Sequence, residues 1–242
     1  MDRLKTLIHI HTDYSFDSDI SVSALAAFAQ ENGIDCIAVT DHDTIDGALR
    51  LRAIAPHLRV IIGEEISTSD GHLIGLFLKE RVEPGMSARD TALAIKRQGG
   101  LVLLPHPFVK AFGCGLRDVS WEIADLIDAV EICNSQNLLS SPDRQAAAFA
   151  ERLHLPTYVG ADSHQSTSIA PCFQNMKAFD GPAGFLSSLR TAERTPGRHS
   201  LAYYFAAATR VVRHLLGVSL PKGFGTNHQT TVPTPRTATL AA

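Results

Sequence analysis

Two histidines stand two residues apart near the start of the chain, His9-Ile10-His11, and an aspartate and a histidine repeat that spacing far downstream, Asp162-Ser163-His164. Imidazole and carboxylate groups are the usual protein ligands of divalent ions such as Zn, Mn and Fe. In an extended strand, side chains i and i+2 share one face, so His9 and His11 are expected to point into one cavity. Between the two pairs, further ligand-type residues follow or open apolar runs: Asp17, Thr40-Asp41-His42, Gly63-Glu64-Glu65, Gly71-His72 and Leu104-Pro105-His106. One ion takes only about four ligands, so this excess points to several ions, with a carboxylate such as Glu65 bridging two of them. Cys36, Cys114, Cys133 and Cys172 show no C-x-x-C pairing, which suggests neither a thiolate site nor a disulfide framework. They are read as reduced and mostly buried.

Residues spread so widely can meet only if the fold gathers strand ends at one place. Short continuous apolar runs occur at about 5–10, 34–40, 58–66, 72–78, 100–105, 128–133 and 155–160, as expected of strands buried on both faces. Segments with helical spacing lie at about 21–32, 44–55, 87–99, 119–126, 140–153 and 181–193, with Ser21, Thr44 and Ser87 as candidate caps and Asp143 at a helix start. An open doubly wound sheet draws its ligands from one switch point, whereas a barrel collects side chains from every strand end. Polar candidates follow nearly every strand here, so the barrel is favoured.

The chain has 242 residues, 45% of them hydrophobic, enough for one barrel domain, which we place at residues 1–222. Residues 199–217 carry Leu201, Phe205, Ala208, Val212, Leu215 and Leu216 at helical spacing and are expected to close the barrel. The interspersed Arg210 and Arg213 argue against a membrane span. The Thr- and Pro-rich residues 223–242 have little to bury and are read as a disordered tail. A formal net charge of −3 gives no broadly basic surface for a stable nucleic-acid complex, and the start lacks a secretory pattern, so a cytoplasmic location is expected. His57, His154, His199, His214 and His228 lie off the strand-end pattern and are read as structural.

Taken together, His9-Ile10-His11-Thr12 with Asp17, Thr40-Asp41-His42, His106-Pro107 and Asp162-Ser163-His164, with Gly63-Glu64-Glu65 and Gly71-His72 between them, resemble the signature regions of the polymerase and histidinol phosphatase (PHP) family of metal-dependent phosphoesterases. The resemblance spans about residues 5–165. It implies an α/β fold of distorted (β/α)7, TIM-like barrel type. It also implies two or three divalent ions (Mn, Zn or Fe) held by His9, His11, Asp17, His42, Glu65, His72, His106, Asp162 and His164. Glu65 is preferred to Glu64 because the family's ligand stands two residues after the glycine. Such ions would lower the pKa of a bound water, clamp phosphate oxygens and stabilise the leaving oxygen. Asp17 or His106 would then be the proton donor, and Asp41 would orient a histidine from behind. Asn134, whose segment resembles one that lines the family's pocket, and the cations Lys110 and Arg144 are candidates for holding the rest of the substrate.

The expected activity is hydrolysis of a phosphoester in a small phosphorylated metabolite or nucleotide. Histidinol phosphate phosphatase is an alternative, although those enzymes tend to be longer. A non-catalytic, metal-stabilised regulatory module is an alternative of another class, opposed by the presence of every ligand position. A barrel hydrolase acting on C–N or C–O bonds would also use a first-strand His-x-His, but it usually needs an interior lysine that these apolar strands do not offer.

Overall fold

The computed structural model describes residues 3–110, 114–116, 118–169 and 172–199. In chain order the elements are β1 (Arg3–Ile10), α1 (Val22–Glu31), β2 (Cys36–Val39), α2 (Asp46–Ile54), β3 (Arg59–Thr68), β4 (Gly71–Leu76), α3 (Ala88–Arg97), β5 (Leu101–Leu104), α4 (Val119–Glu122), β6 (Ala129–Asn134), α5 (Ser141–Arg152), β7 (Thr157–Gly160), β8 (Phe173–Lys177), α6 (Gly181–Arg190) and β9 (Glu193–Thr195). They form one sheet in the order β7-β6-β5-β4-β3-β2-β1-β8-β9. Its first and seventh strands meet again beyond β7: Ala161 N–H donates to the Ile8 carbonyl (3.1 Å), Asp162 N–H to His9 (2.6 Å), and His11 N–H to Ser163 (3.4 Å). Strands β1 to β7 thus curl into a nearly closed barrel, and β8 and β9 extend the sheet from the lower part of β1.

All barrel pairings are parallel except those of β4, which is antiparallel to both β3 and β5. A tight turn at 69–70 replaces the crossover helix between β3 and β4, and this reversal is what distorts the barrel. It also places the first residues of β4, rather than its last, at the rim where the other strands end.

The continuous apolar strands are buried on both faces, as their composition requires. Ile8, Ala38, Ile61, Ile74, Leu103, Ala129 and Tyr158 pack together inside the barrel, and Phe179, Phe185 and Leu189 join them from α6 and the residues before it. Helix α6 therefore seals the lower end. Leu7, Ile10, Ile37, Val39, Ile62, Leu73, Val102 and Val130 form a separate outer layer with residues of α1, α2, α3 and α5, including Leu25, Leu51, Ile95 and Phe149. Ser21 and Ser87 cap α1 and α3 by accepting the N–H groups of Ala24 and Asp90.

Several expectations need adjustment. The cap of α2 is Ile45, which offers no side-chain bond, although the Thr44 hydroxyl accepts Asp46 N–H at 3.2 Å. Helix α4 is a single turn. Strands β8 and β9, Phe-Gln-Asn-Met-Lys and Glu-Arg-Thr, lack an apolar run and are not anticipated by periodicity. Cys36 and Cys172 are buried, but Cys114 and Cys133 are only partly so. The helix expected at 199–217 (His199 apart) and the tail expected at 223–242 lie outside the described residues. Among the described residues no helix is long and apolar enough to cross a membrane.

Candidate metal centre

At the rim where β1, β2, β3, β5, β6 and β7 end and β4 begins, the structure gathers all nine ligand-type residues expected from the sequence. Glu65 on β3 stands in the middle. Its Oε2 lies 3.1 Å from both His9 Nε2 and His11 Nε2 and 3.8 Å from His42 Nδ1; its Oε1 lies 2.9 Å from His72 Nδ1 and 3.0 Å from His106 Nε2. Asp162 Oδ1 is 3.5 Å from both His9 Nε2 and His11 Nε2 and 3.6 Å from His164 Nδ1. Asp17 Oδ2 closes the open side, 3.3 Å from His164 Nε2 and 3.6 Å from His42 Nε2. Glu64 projects from the opposite face of β3, where it accepts Val82 N–H at 2.8 Å and faces Arg81, so of the two glutamates it is Glu65 that faces the cluster.

The route by which His9 and His11 reach one cavity is not simple alternation. Ile8 already faces the barrel interior, so a regular strand would turn His9 and His11 outward. The pairing of β1 with β2 slips between Ile8 and Ile10, and His9 takes φ 63°, a conformation a non-glycine residue adopts at a cost. This bulge keeps Ile8 and His9 both inward, sends Ile10 to the outer layer and returns His11 to the cavity. A second slip, between Glu131 and Cys133 on β6, places Glu131 and Asn134 three residues apart on the same inner side. His106 and Asp162 also have positive φ, 27° and 41°. Such conformations cost on the order of 1–3 kcal/mol each and persist where the surroundings enforce them.

Behind the nine lies a set of residues that orients them. Glu131, buried in the apolar strand β6, is 2.8 Å from His9 Nδ1 and accepts His106 N–H at 2.7 Å. With His9 Nδ1 held by Glu131, Nε2 is the ring nitrogen that faces Glu65 and Asp162. Asn134, 1% exposed, donates its amide to Glu131 (2.9 Å) and Asp162 (2.8 Å) and accepts Gln136 N–H (2.9 Å). Its side chain holds these two carboxylates in position. Asp41 accepts Thr12 N–H, Thr12 Oγ1 and Ser15 Oγ; Ser15 Oγ in turn touches His11 Nδ1 at 3.1 Å and accepts His42 N–H at 2.9 Å. Asp41 therefore acts on His11 through Ser15. Gly160 is required here, because a Cβ at that position would run into Glu131 Oε1 and crowd His9.

Glu131, Gln136 and Ser15 were not found from the sequence. A lone acid inside the run Ala129-Val130-Glu131-Ile132 was the available signal for the first; nothing distinguished the other two. His199, read as structural, is buried with its Nε2 3.3 Å from Ser163 Oγ, next to the rim. Lys110 and Arg144 are exposed, and neither contacts the cluster among the described residues; Arg144 instead donates to Ser140 Oγ.

Charge in the cluster is strongly coupled. Burial opposes a charged His9, yet Asp162, Glu131 and Glu65 override it and hold its pKa well above the ordinary histidine value. Burial likewise opposes charge on His11, while Asp162 and Glu65 raise its pKa to about 9. Burial pushes His42 down to about 4. Burial also works against ionised Glu65 and Asp162, but the imidazoles around them keep both well below the usual carboxylate range. The cluster is a low-dielectric pocket in which anions persist only because cations face them.

That arrangement fits divalent ions. Among the described residues three overlapping groups could each hold one: His9, His11, Glu65 and Asp162; His11, Asp17, His42 and His164; and His42, Glu65 and His72. Among the described residues His11 Nε2, Asp17 Oδ1 and His42 Nδ1 are buried without a well-aligned hydrogen bond.

Comparison with known proteins agrees with this geometry. Residues 8–109 match the model of the PHP domain. The chain is 35% identical over 147 residues to MJ1587, an uncharacterized protein of Methanocaldococcus jannaschii, covering 54% of this chain and 82% of that one. Among solved structures, it is similar to a two-domain protein of Bacteroides vulgatus containing a predicted PHP-like metal-dependent phosphoesterase (TM-score 0.66, 18% identity, 81% of this chain and 65% of that one). It is also similar to PsfC of Pseudomonas syringae (TM-score 0.63, 16% identity, 89% of this chain and 100% of that one). At such identities the solved structures speak for the fold, and the ligand positions and the archaeal relative carry the rest: the chain belongs to the PHP domain family.

Proposed function

We propose that the protein hydrolyses a phosphoester bond in a small phosphorylated metabolite or nucleotide, at a centre of two or three divalent ions (Mn, Zn or Fe). The observation that carries this reading is the convergence of six imidazoles and three carboxylates from the ends of six strands, with buried donor atoms left over for ions. Ions bound there supply a water of lowered pKa and countercharge for the phosphoryl oxygens. His9, His11, Glu65 and Asp162 would hold the deepest ion, and Glu65, central to the cluster, is placed to bridge.

The protein's own part is orientation and proton delivery. Glu131 and Asn134 set the directions of His9 and Asp162, and the Asp41–Ser15 pair sets that of His11. Of the two acids considered as proton donor, Asp17 is the better placed. It is partly exposed at the mouth, whereas His106 is buried against Glu65. The similar Bacteroides protein, which contains a predicted PHP-like metal-dependent phosphoesterase, is in keeping with the same chemistry.

The test is elemental analysis of the purified protein with phosphate release from nucleotides and sugar phosphates, for the parent, Asp162→Asn and His9→Ala. We expect bound divalent ions in the parent and loss of both metal and turnover in the two variants. Undiminished turnover in both would reject the assignment.

A further inference from the structure

Phe16 is 86% exposed although it is a large apolar side chain, and it stands immediately before Asp17. Its ring stacks on that of His42, with centroids 5.3 Å apart and planes inclined by 30°, so one face is seated on the cluster and most of the ring is open to solvent. The loop that carries it is pinned at both ends. Asp13 N–H donates to the Ile20 carbonyl (2.8 Å), Ser15 N–H to Thr12 (2.9 Å), and Ser18 Oγ to His11 (3.2 Å). Phe16 is thus presented on an anchored loop beside the reacting centre. A ring left so exposed forgoes the gain of burial, which invites a partner for its free face.

Two further observations indicate what that partner is. Among the described residues no ion pair joins the nine cluster residues to a lysine or arginine. Gln136 touches His164 at 3.0 Å, and Leu138 and Leu139, which follow it in the chain, are 65% and 73% exposed. Exposed apolar side chains thus stand next to Asp17 and two to three residues beyond Gln136 in the chain.

We propose that Phe16 is a stacking platform for a planar ring of the nucleobase kind carried by the phosphorylated substrate, which makes nucleotides the preferred substrate class. This rests on the phosphoesterase reading above and narrows it. Aromatic stacking on a base face is tolerant of base identity, so discrimination among the four common bases is expected to be weak.

The experiment compares the parent with Phe16→Ala and Phe16→Trp, using protein as purified with its metals. For each, kcat/KM is measured for AMP and for glycerol phosphate, and Kd by calorimetry for AMP and for inorganic phosphate. The expected result is that the AMP-to-glycerol-phosphate ratio of kcat/KM falls roughly 5- to 100-fold in Phe16→Ala, through KM, and is kept in Phe16→Trp. The AMP-to-phosphate ratio of Kd should move in parallel. Unchanged ratios, or a loss in Phe16→Trp equal to that in Phe16→Ala, would overturn the platform. Absence of turnover in the parent would instead reject the phosphoesterase reading, and the calorimetric ratio would still decide the role of Phe16.

Discussion

The two ends of the barrel are built from the same strands and do opposite things. At the lower end Ile8, Ala38, Ile61, Leu103 and Tyr158 meet Phe185 and Leu189 of α6 in a dry apolar plug. At the upper end, only a few residues further along the same strands, the side chains are histidines and carboxylates, several on strained or bulged backbone. The contrast teaches that the lower end holds the barrel together, and that the upper end draws on that stability to keep charged groups buried and crowded.

This division can be broken from either side. The largest effect is expected from Phe185→Ala, which should cost about 3–5 kcal/mol in chemical denaturation while metal content per folded molecule is kept. Loss of metal without loss of stability would show that the ends are not separate. Next, Glu131→Gln keeps the shape beside His9 but weakens its orientation, and metal affinity measured by competition with a chelator should fall roughly 10- to 100-fold.

Glu64 offers a pH test on the outer face of the same strand. Burial, only partly offset by Val82 N–H and Arg81, raises its pKa from the usual glutamate value to about 7. The folded chain therefore binds a proton that the unfolded chain has released, and its contribution to stability is lost as pH rises from about 4.5 through 7. Denaturation at pH 5 and pH 8 should show Glu64→Gln losing less stability over that interval than the parent, by on the order of 2 kcal/mol. The smallest effect concerns strain away from the rim. His154, exposed at the end of α5 with φ 53°, performs no chemistry, so His154→Gly should raise stability by about 0.5–1 kcal/mol and leave turnover unaltered. Strain at His9, by comparison, should not be removable without loss of metal.

Much of this could be read from the chain itself. Seven barrel strands and the main helices follow from apolar runs and helical spacing, because strands buried on both faces cannot hide their composition. All nine rim residues followed from ligand type and from the family resemblance. What escaped was whatever depends on register. Alternation led to the right cavity for His9 and His11, but the bulge at His9 is what takes them there, and no local composition announces it. Glu131 was missed because a single acid in a strand has no partner visible in sequence. Asn134 was singled out because its segment resembles one that lines the family's pocket, whereas its bond to Asp162, far along the chain, has no signal in the sequence. Strands β8 and β9 are short and polar, and they form through pairing with β1, which lies far away in the chain.

The hydrogen bonds that shut the barrel join Ile8, His9 and His11 to residues 161–163, the very stretches that carry the first and last ligand pairs. The seam of the cylinder and its reactive centre are therefore one place. An ion gripped by both stretches would rivet the cylinder shut, so slowed deuterium uptake at the Asp162 amide would report loading directly, and parting the seam would disassemble the catalyst before the rest of the wall gave way.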